Sequence, residues 1–190
     1  MKRVWALLIV LWCSGSPLAA PADDVRAIPL VDQSGAVFRI LDLRGRPALL
    51  TFVATRCTDA CPIANVAFDR LRSRLQHDRI DARLVTITLD PAYDTPFVMS
   101  RLAHSLRADT QDWVFASGRP ADVERLMRSL GVLAVTGKSG IPDQHSTFVY
   151  VLDRRARLTR SLLLSTDIGQ QVEQALAQRS VAAEDQNRGR

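Results

Sequence analysis

Three cysteines in 190 residues are too few for a disulfide framework. Three methionines leave no methionine-rich metal-binding stretch. No apolar run reaches the roughly 20 residues that a bilayer span needs; the stretch from Val4 to Trp12 is about half that length. Nor does one sign of charge dominate. There are 25 basic and 20 acidic side chains, interspersed, and the net charge of +5 falls to +3 without Lys2 and Arg3. Such a mildly basic surface has no stripe for gripping nucleic acid. Repeats and low-complexity linkers are absent, so nothing divides the chain into several domains.

What is present begins with an export signature. Lys2 and Arg3 precede the apolar stretch, followed by Ser14-Gly15-Ser16-Pro17 and the small-residue run Leu18 to Ala22. That order is the one a secretory signal peptide follows, and Ala20-Pro21-Ala22 places cleavage after Ala22 or, as the alternative, Ala20. Residues 1–22 are therefore expected to be a signal peptide, 23–181 one folded domain and 182–190 a polar tail. A lipoprotein anchored through Cys13 is disfavoured by bulky Val10, Leu11 and Trp12 before it. Cleavage would leave Cys57 and Cys61 as the mature chain's cysteines, in an oxidising compartment such as a bacterial periplasm. A domain of this length buries roughly 70% of its unfolded surface without help from disulfides. The two thiols are thus free for chemistry.

The pair sits in Phe52-Val53-Ala54-Thr55-Arg56-Cys57-Thr58-Asp59-Ala60-Cys61-Pro62, between a strand-like apolar run, Ala48 to Ala54, and a helical pattern from Pro62 to Gln76. Spacing of i, i+4 brings both sulfurs to one side of a first helical turn. A disulfide there is strained and reducible, which favours a reactive pair over a static one. A helix N-terminus favours thiolate at Cys61 and also at Cys57, and Arg56 adds to this if it turns toward them. Disulfide exchange, soft-metal binding and peroxide chemistry all suit such a pair.

The remaining pattern is a hairpin within Ile28 to Ile40, a strand from Arg83 to Leu89, and a helix capped by Thr95 with Pro96 at its first position. A short strand at Trp113 to Ala116, a helix from Pro120 to Leu130, a strand pair (Ser146–Leu152 and Leu158–Leu164) and a closing helix from Thr166 to Gln178 follow. This order describes an α/β fold of the thioredoxin type: a mixed central sheet flanked by helices, with an N-terminal β-hairpin.

Two thiolates suit Cu(I), and a third ligand would complete a trigonal site. Of the histidines, His77 stands among charged residues at a helix end and His104 lies within a helix. His145, in Pro142-Asp143-Gln144-His145-Ser146, enters the strand whose preceding loop faces the cysteine turn in thioredoxin-type sheets. It is a ligand candidate or an ordinary loop histidine. Met99 and Met127 fall in helices, as core residues do.

The cysteine segment, Thr88-Leu89-Asp90-Pro91-Ala92-Tyr93-Asp94-Thr95-Pro96, and Asp143-Gln144-His145-Ser146 before Val149-Tyr150-Val151-Leu152-Asp153 together closely resemble the Sco/SenC family. Those proteins deliver copper to the CuA centre of cytochrome c oxidase or act as thiol reductants for it. The resemblance implies Cys57, Cys61 and His145 as copper ligands, with Asp90 nearby to tune them. It also implies a copper-acceptor protein as partner, such as the oxidase CuA subunit; in an oxidising periplasm a thiol reductase is needed as a second partner, since a disulfide blocks metal binding. The alternative role is a thiol–disulfide oxidoreductase, with Cys57 attacking and Cys61 resolving; a peroxidase lacks the matching motif. Thr58 stands where the family has proline and Ala54 where it commonly has tyrosine. Most members are tethered to a membrane, whereas this leader reads as cleaved.

Overall fold

The computed structural model describes residues 24–57, 60–136, 140, 142–145, 147–165 and 167–177, with the backbone alone for 60, 136 and 143–145. The expected signal peptide, the tail and Thr58 lie outside the described residues.

The apolar run becomes β3 (Ala48–Val53), every residue of which is buried. A strand with no polar face must be covered on both sides and paired on both edges. Accordingly β3 lies beside parallel β4 (Arg83–Thr88), with Val53 opposite Thr88, and beside antiparallel β8 (Phe148–Leu152). The sheet continues from β4 to parallel β5 (Trp113–Ser117), then to β1 (Leu30–Asp32) and β2 (Val37–Phe38), while β9 (Leu158–Leu163) closes the other edge against β8. The seven-stranded order is β2-β1-β5-β4-β3-β8-β9. The mixed sheet, its flanking helices and the hairpin are as the residue pattern implies.

Helix α1 (Ala60–His77) follows β3, α2 (Pro96–Ser105) follows β4, α3 (Pro120–Ser129) follows β5, and α4, residues 168–177, follows β9. Thr95 caps α2 by accepting from the Val98 N–H, with Pro96 behind it. Phe68 packs α1 against Trp113, whose ring nitrogen donates to the Thr86 hydroxyl at 2.9 Å and so brings no unpaired polar atom into the core. Met99 is fully buried and Met127 partly so, as core residues.

The β1–β2 turn is built by Asp32, whose carboxylate accepts from Ser34 N at 2.8 Å and Ala36 N at 3.1 Å, with Gly35 at φ +86°. Next to it, the Gln33 amide donates to the Trp113 carbonyl and accepts from the Phe115 N–H, both at 2.8 Å. A side chain thereby takes the place of one residue of the short strand β1.

One segment departs from expectation. The residues before β8 do not form a loop: Pro142–His145 is a strand, β7, paired antiparallel with β6 (Ala134–Thr136) in a separate two-stranded ribbon. Strands this short carry too few residues to show a period, which hides them in the sequence.

Candidate functional site

Strand β3 delivers the chain to the end of the sheet where the strand-to-helix turn lies. The Cys57 N–H donates to the Ala54 carbonyl at 3.1 Å, closing the turn, and Cys61 falls in the first turn of α1. No disulfide joins the two cysteines. The Cys57 thiol lies within hydrogen-bonding reach of Cys61, and the Cys61 sulfur accepts from the Ala54 N–H at 3.2 Å. Two adjacent sulfurs on a rigid turn can share a soft cation, or form and break one disulfide.

Neither thiol is open to solvent: Cys57 is 6% and Cys61 2% exposed. The thiolate expected at Cys61 is therefore not what the surroundings favour. Burial pushes this thiol up to about 12, with the neighbouring Cys57 and the Asp94 carboxylate adding to the rise and the Ala54 N–H opposing it. Desolvating a thiolate outweighs the partial charge of a helix terminus. Arg56 does not redress the balance, because its guanidinium turns to Asp90, donating from Nε at 3.1 Å and Nη2 at 2.5 Å. It also lies 4.5 Å from the Tyr93 ring centre and donates to the Gly140 carbonyl at 3.3 Å.

Asp90 thus meets the cysteine turn through Arg56. The carboxylate that holds the turn directly is Asp94, which the sequence reading did not single out. Completely buried, it accepts from the Thr55 N–H at 3.0 Å, the Thr55 hydroxyl, and the Thr88 hydroxyl at 2.8 Å. The Thr88 hydroxyl accepts in turn from the Asp90 N–H at 2.8 Å. A signal for Asp94 was available: Thr55 and Thr88 put hydroxyls at the ends of neighbouring buried strands, and such groups require an acceptor.

The backbone of His145 ends β7, opposite Ala134; its side chain lies outside the described residues. Among the described residues, no three His, Cys, Asp or Glu side chains form a cluster able to hold a metal. His77 is exposed against Asp78, and His104 is exposed on α2, so neither joins the cysteines. Among the described residues no helix is long and apolar enough to cross a membrane.

The model of the SCO1/SenC family matches residues 20–179, most of the chain. A SCO2-like protein of Rickettsia prowazekii is 28% identical over 140 residues, 71% of this chain and 67% of its own. A Stutzerimonas stutzeri protein named for copper binding is 36% identical over 111 residues, 56% of this chain and 53% of its own. The copper-bound structure of ScoI from Bradyrhizobium japonicum superposes with a TM-score of 0.67 at 25% identity, covering 79% of this chain and 96% of that one. Copper-bound yeast Sco1 shares the fold, with a TM-score of 0.64 at 23% identity over 77% of this chain and 84% of its own. Sequence motifs, sheet order and the placement of the dithiol turn converge: the chain belongs to the SCO1/SenC family.

Proposed function

We propose that this protein is a periplasmic copper metallochaperone that holds the metal through Cys57, Cys61 and His145 and passes it to a copper enzyme, with the CuA site of cytochrome c oxidase as the intended acceptor. The observation that carries this reading is the pair of cysteine sulfurs within hydrogen-bonding reach of each other at the start of α1. Thiolate sulfur prefers Cu(I), and binding it displaces the proton that burial keeps on Cys61. Support also comes from the Bradyrhizobium relative, whose structure contains copper, and from the Stutzerimonas relative named for copper binding. Residues 1–22 serve as a cleaved export signal, residues 23–181 form the working domain and 182–190 its tail.

The direct experiment is copper stoichiometry of the reduced protein. One copper per chain is expected, lost in Cys57→Ser and in Cys61→Ser and much weakened in His145→Ala. Undiminished copper binding in His145→Ala refutes the three-ligand assignment.

The adjacency of the thiols also favours a second reading, a thiol–disulfide oxidoreductase. Cys57 and Cys61 would close a disulfide while two acceptor cysteines are reduced to thiols, and a periplasmic reductase would restore the pair. A neighbouring structure describes a disulfide switch in BsSco, a member of a family of cytochrome c oxidase assembly proteins. Reduction of an oxidised acceptor domain by the copper-free protein, undiminished in His145→Ala, selects this second role.

A further inference from the structure

An open groove of about 860 Å³ separates α1 from the stretch joining β9 to α4. Pro62, Ile63, Val66 and Arg70 form one wall, Leu164 and Ile168 the other. Ile63 is 70% exposed and Val66 49%, three residues apart on one helix face, so two apolar side chains stand side by side without cover. The lining includes Pro62, which follows Cys61 in the chain, and Thr147, two residues after His145.

Most polar groups in the lining are already engaged. Arg74 pairs with Glu173, the Ser165 hydroxyl bonds Asp167 and Gln171, and the Thr147 carbonyl accepts from the Leu164 N–H. Arg70 differs: among the described residues its exposed guanidinium meets no carboxylate. Apolar walls with one uncompensated cation call for an occupant with apolar side chains and an acidic group.

We propose that this groove receives a segment of the protein that exchanges copper or thiols with Cys57 and Cys61, its apolar side chains resting on Ile63 and Val66 and its carboxylate on Arg70. The inference rests on the function proposed above and adds the recognition that function needs. Sulfurs this deeply buried are reached by a chain laid down beside them, and a groove running to Pro62 would guide one there.

The probe is a fluorescein-labelled synthetic peptide in which a cysteine is followed by two leucines and a glutamate, beside a twin with lysine in place of glutamate. Fluorescence anisotropy with the reduced protein should show the glutamate peptide binding about tenfold tighter, as expected for a charge-assisted hydrogen bond. Arg70→Glu should reverse that preference, and Val66→Asp should weaken both peptides. Equal affinities for the twins, or binding unchanged in both variants, overturns the proposal. So does a dimer, detected by sedimentation, that Val66→Asp dissociates, since the groove would then belong to a second copy. Copper uptake is measured in the same samples. Uptake equal to wild type in both variants shows that they are folded and their thiols intact. A wild-type protein that takes up no copper refutes the proposed function, while the peptide comparison still decides the groove.

Discussion

Two segments flank the cysteine turn, and they are built on opposite principles. On one side, the Asp90–Thr95 turn sends a completely buried carboxylate, Asp94, into the joint between β3 and β4, where two hydroxyls and a backbone N–H bind it. On the other, the β6–β7 ribbon stands apart from the main sheet with Leu133 73% and Val135 59% exposed. It meets the turn where Arg56 reaches the Gly140 carbonyl. A two-stranded ribbon has little stability of its own. In the site proposed above, the two cysteines fall in the well-anchored half and His145 in the half with weaker support. Such a site would keep its sulfurs in place while the third position adjusts.

The largest expected effect tests the rigid half. Asp94→Ala removes a buried acceptor shared by three donors and should cost about 3–5 kcal/mol, read by urea unfolding of the reduced protein. Asp94→Asn, which retains one acceptor oxygen, should recover part of that. A loss below about 1 kcal/mol in Asp94→Ala would dissolve the contrast between the two segments, because an ordinary surface substitution costs as little.

Alkaline pH probes the same half. The folded protein raises the Cys61 thiol from its ordinary value near 9 to about 12. The native state therefore holds this proton after the unfolded chain has released it, so stability falls as pH rises between those values. In the reduced, copper-free protein, Cys61→Ser should flatten the decline; an unaltered slope would show that burial of this thiol is not its source.

A smaller change is expected from Arg56→Met, which separates Asp90 from the turn and releases the Gly140 carbonyl. Hydrogen exchange should quicken in the ribbon around Ala134 and His145 more than in β3 or β4. Equal acceleration in both places would mean that the two halves share one framework. Smallest of all is Tyr150→Phe. Among the described residues the buried Tyr150 hydroxyl has no hydrogen-bond partner, the reverse of Asp94. Its removal should be neutral or stabilise by up to about 1 kcal/mol in the same urea assay; a clear destabilisation would reveal a bonding role for the hydroxyl.

This contrast also explains what could be read in advance. The β3 run, the α1 pattern and the Thr95–Pro96 cap are local signals with local causes, and the structure follows each of them. Cys57 and Cys61 declared themselves because few residue types have such restricted chemistry. Asp94 was overlooked in favour of Asp90 because its role depends on Thr55 and Thr88, brought together when β3 and β4 pair. The ribbon was hidden for a related reason: its residues acquire strand geometry through each other. The raised Cys61 thiol could not be foreseen from helix position, since desolvation is a property of the finished core.

The Gln33 side chain, far from the cysteines, settles a different matter. Beyond the three residues of β1, the outer rim of β5 would offer bare N–H and carbonyl groups on which a stray strand from another molecule could polymerise. One amide, bonded to both Trp113 and Phe115, plugs that template. A chain that folds among other molecules gains from it a guard against aggregation, placed where a longer hairpin would otherwise be required.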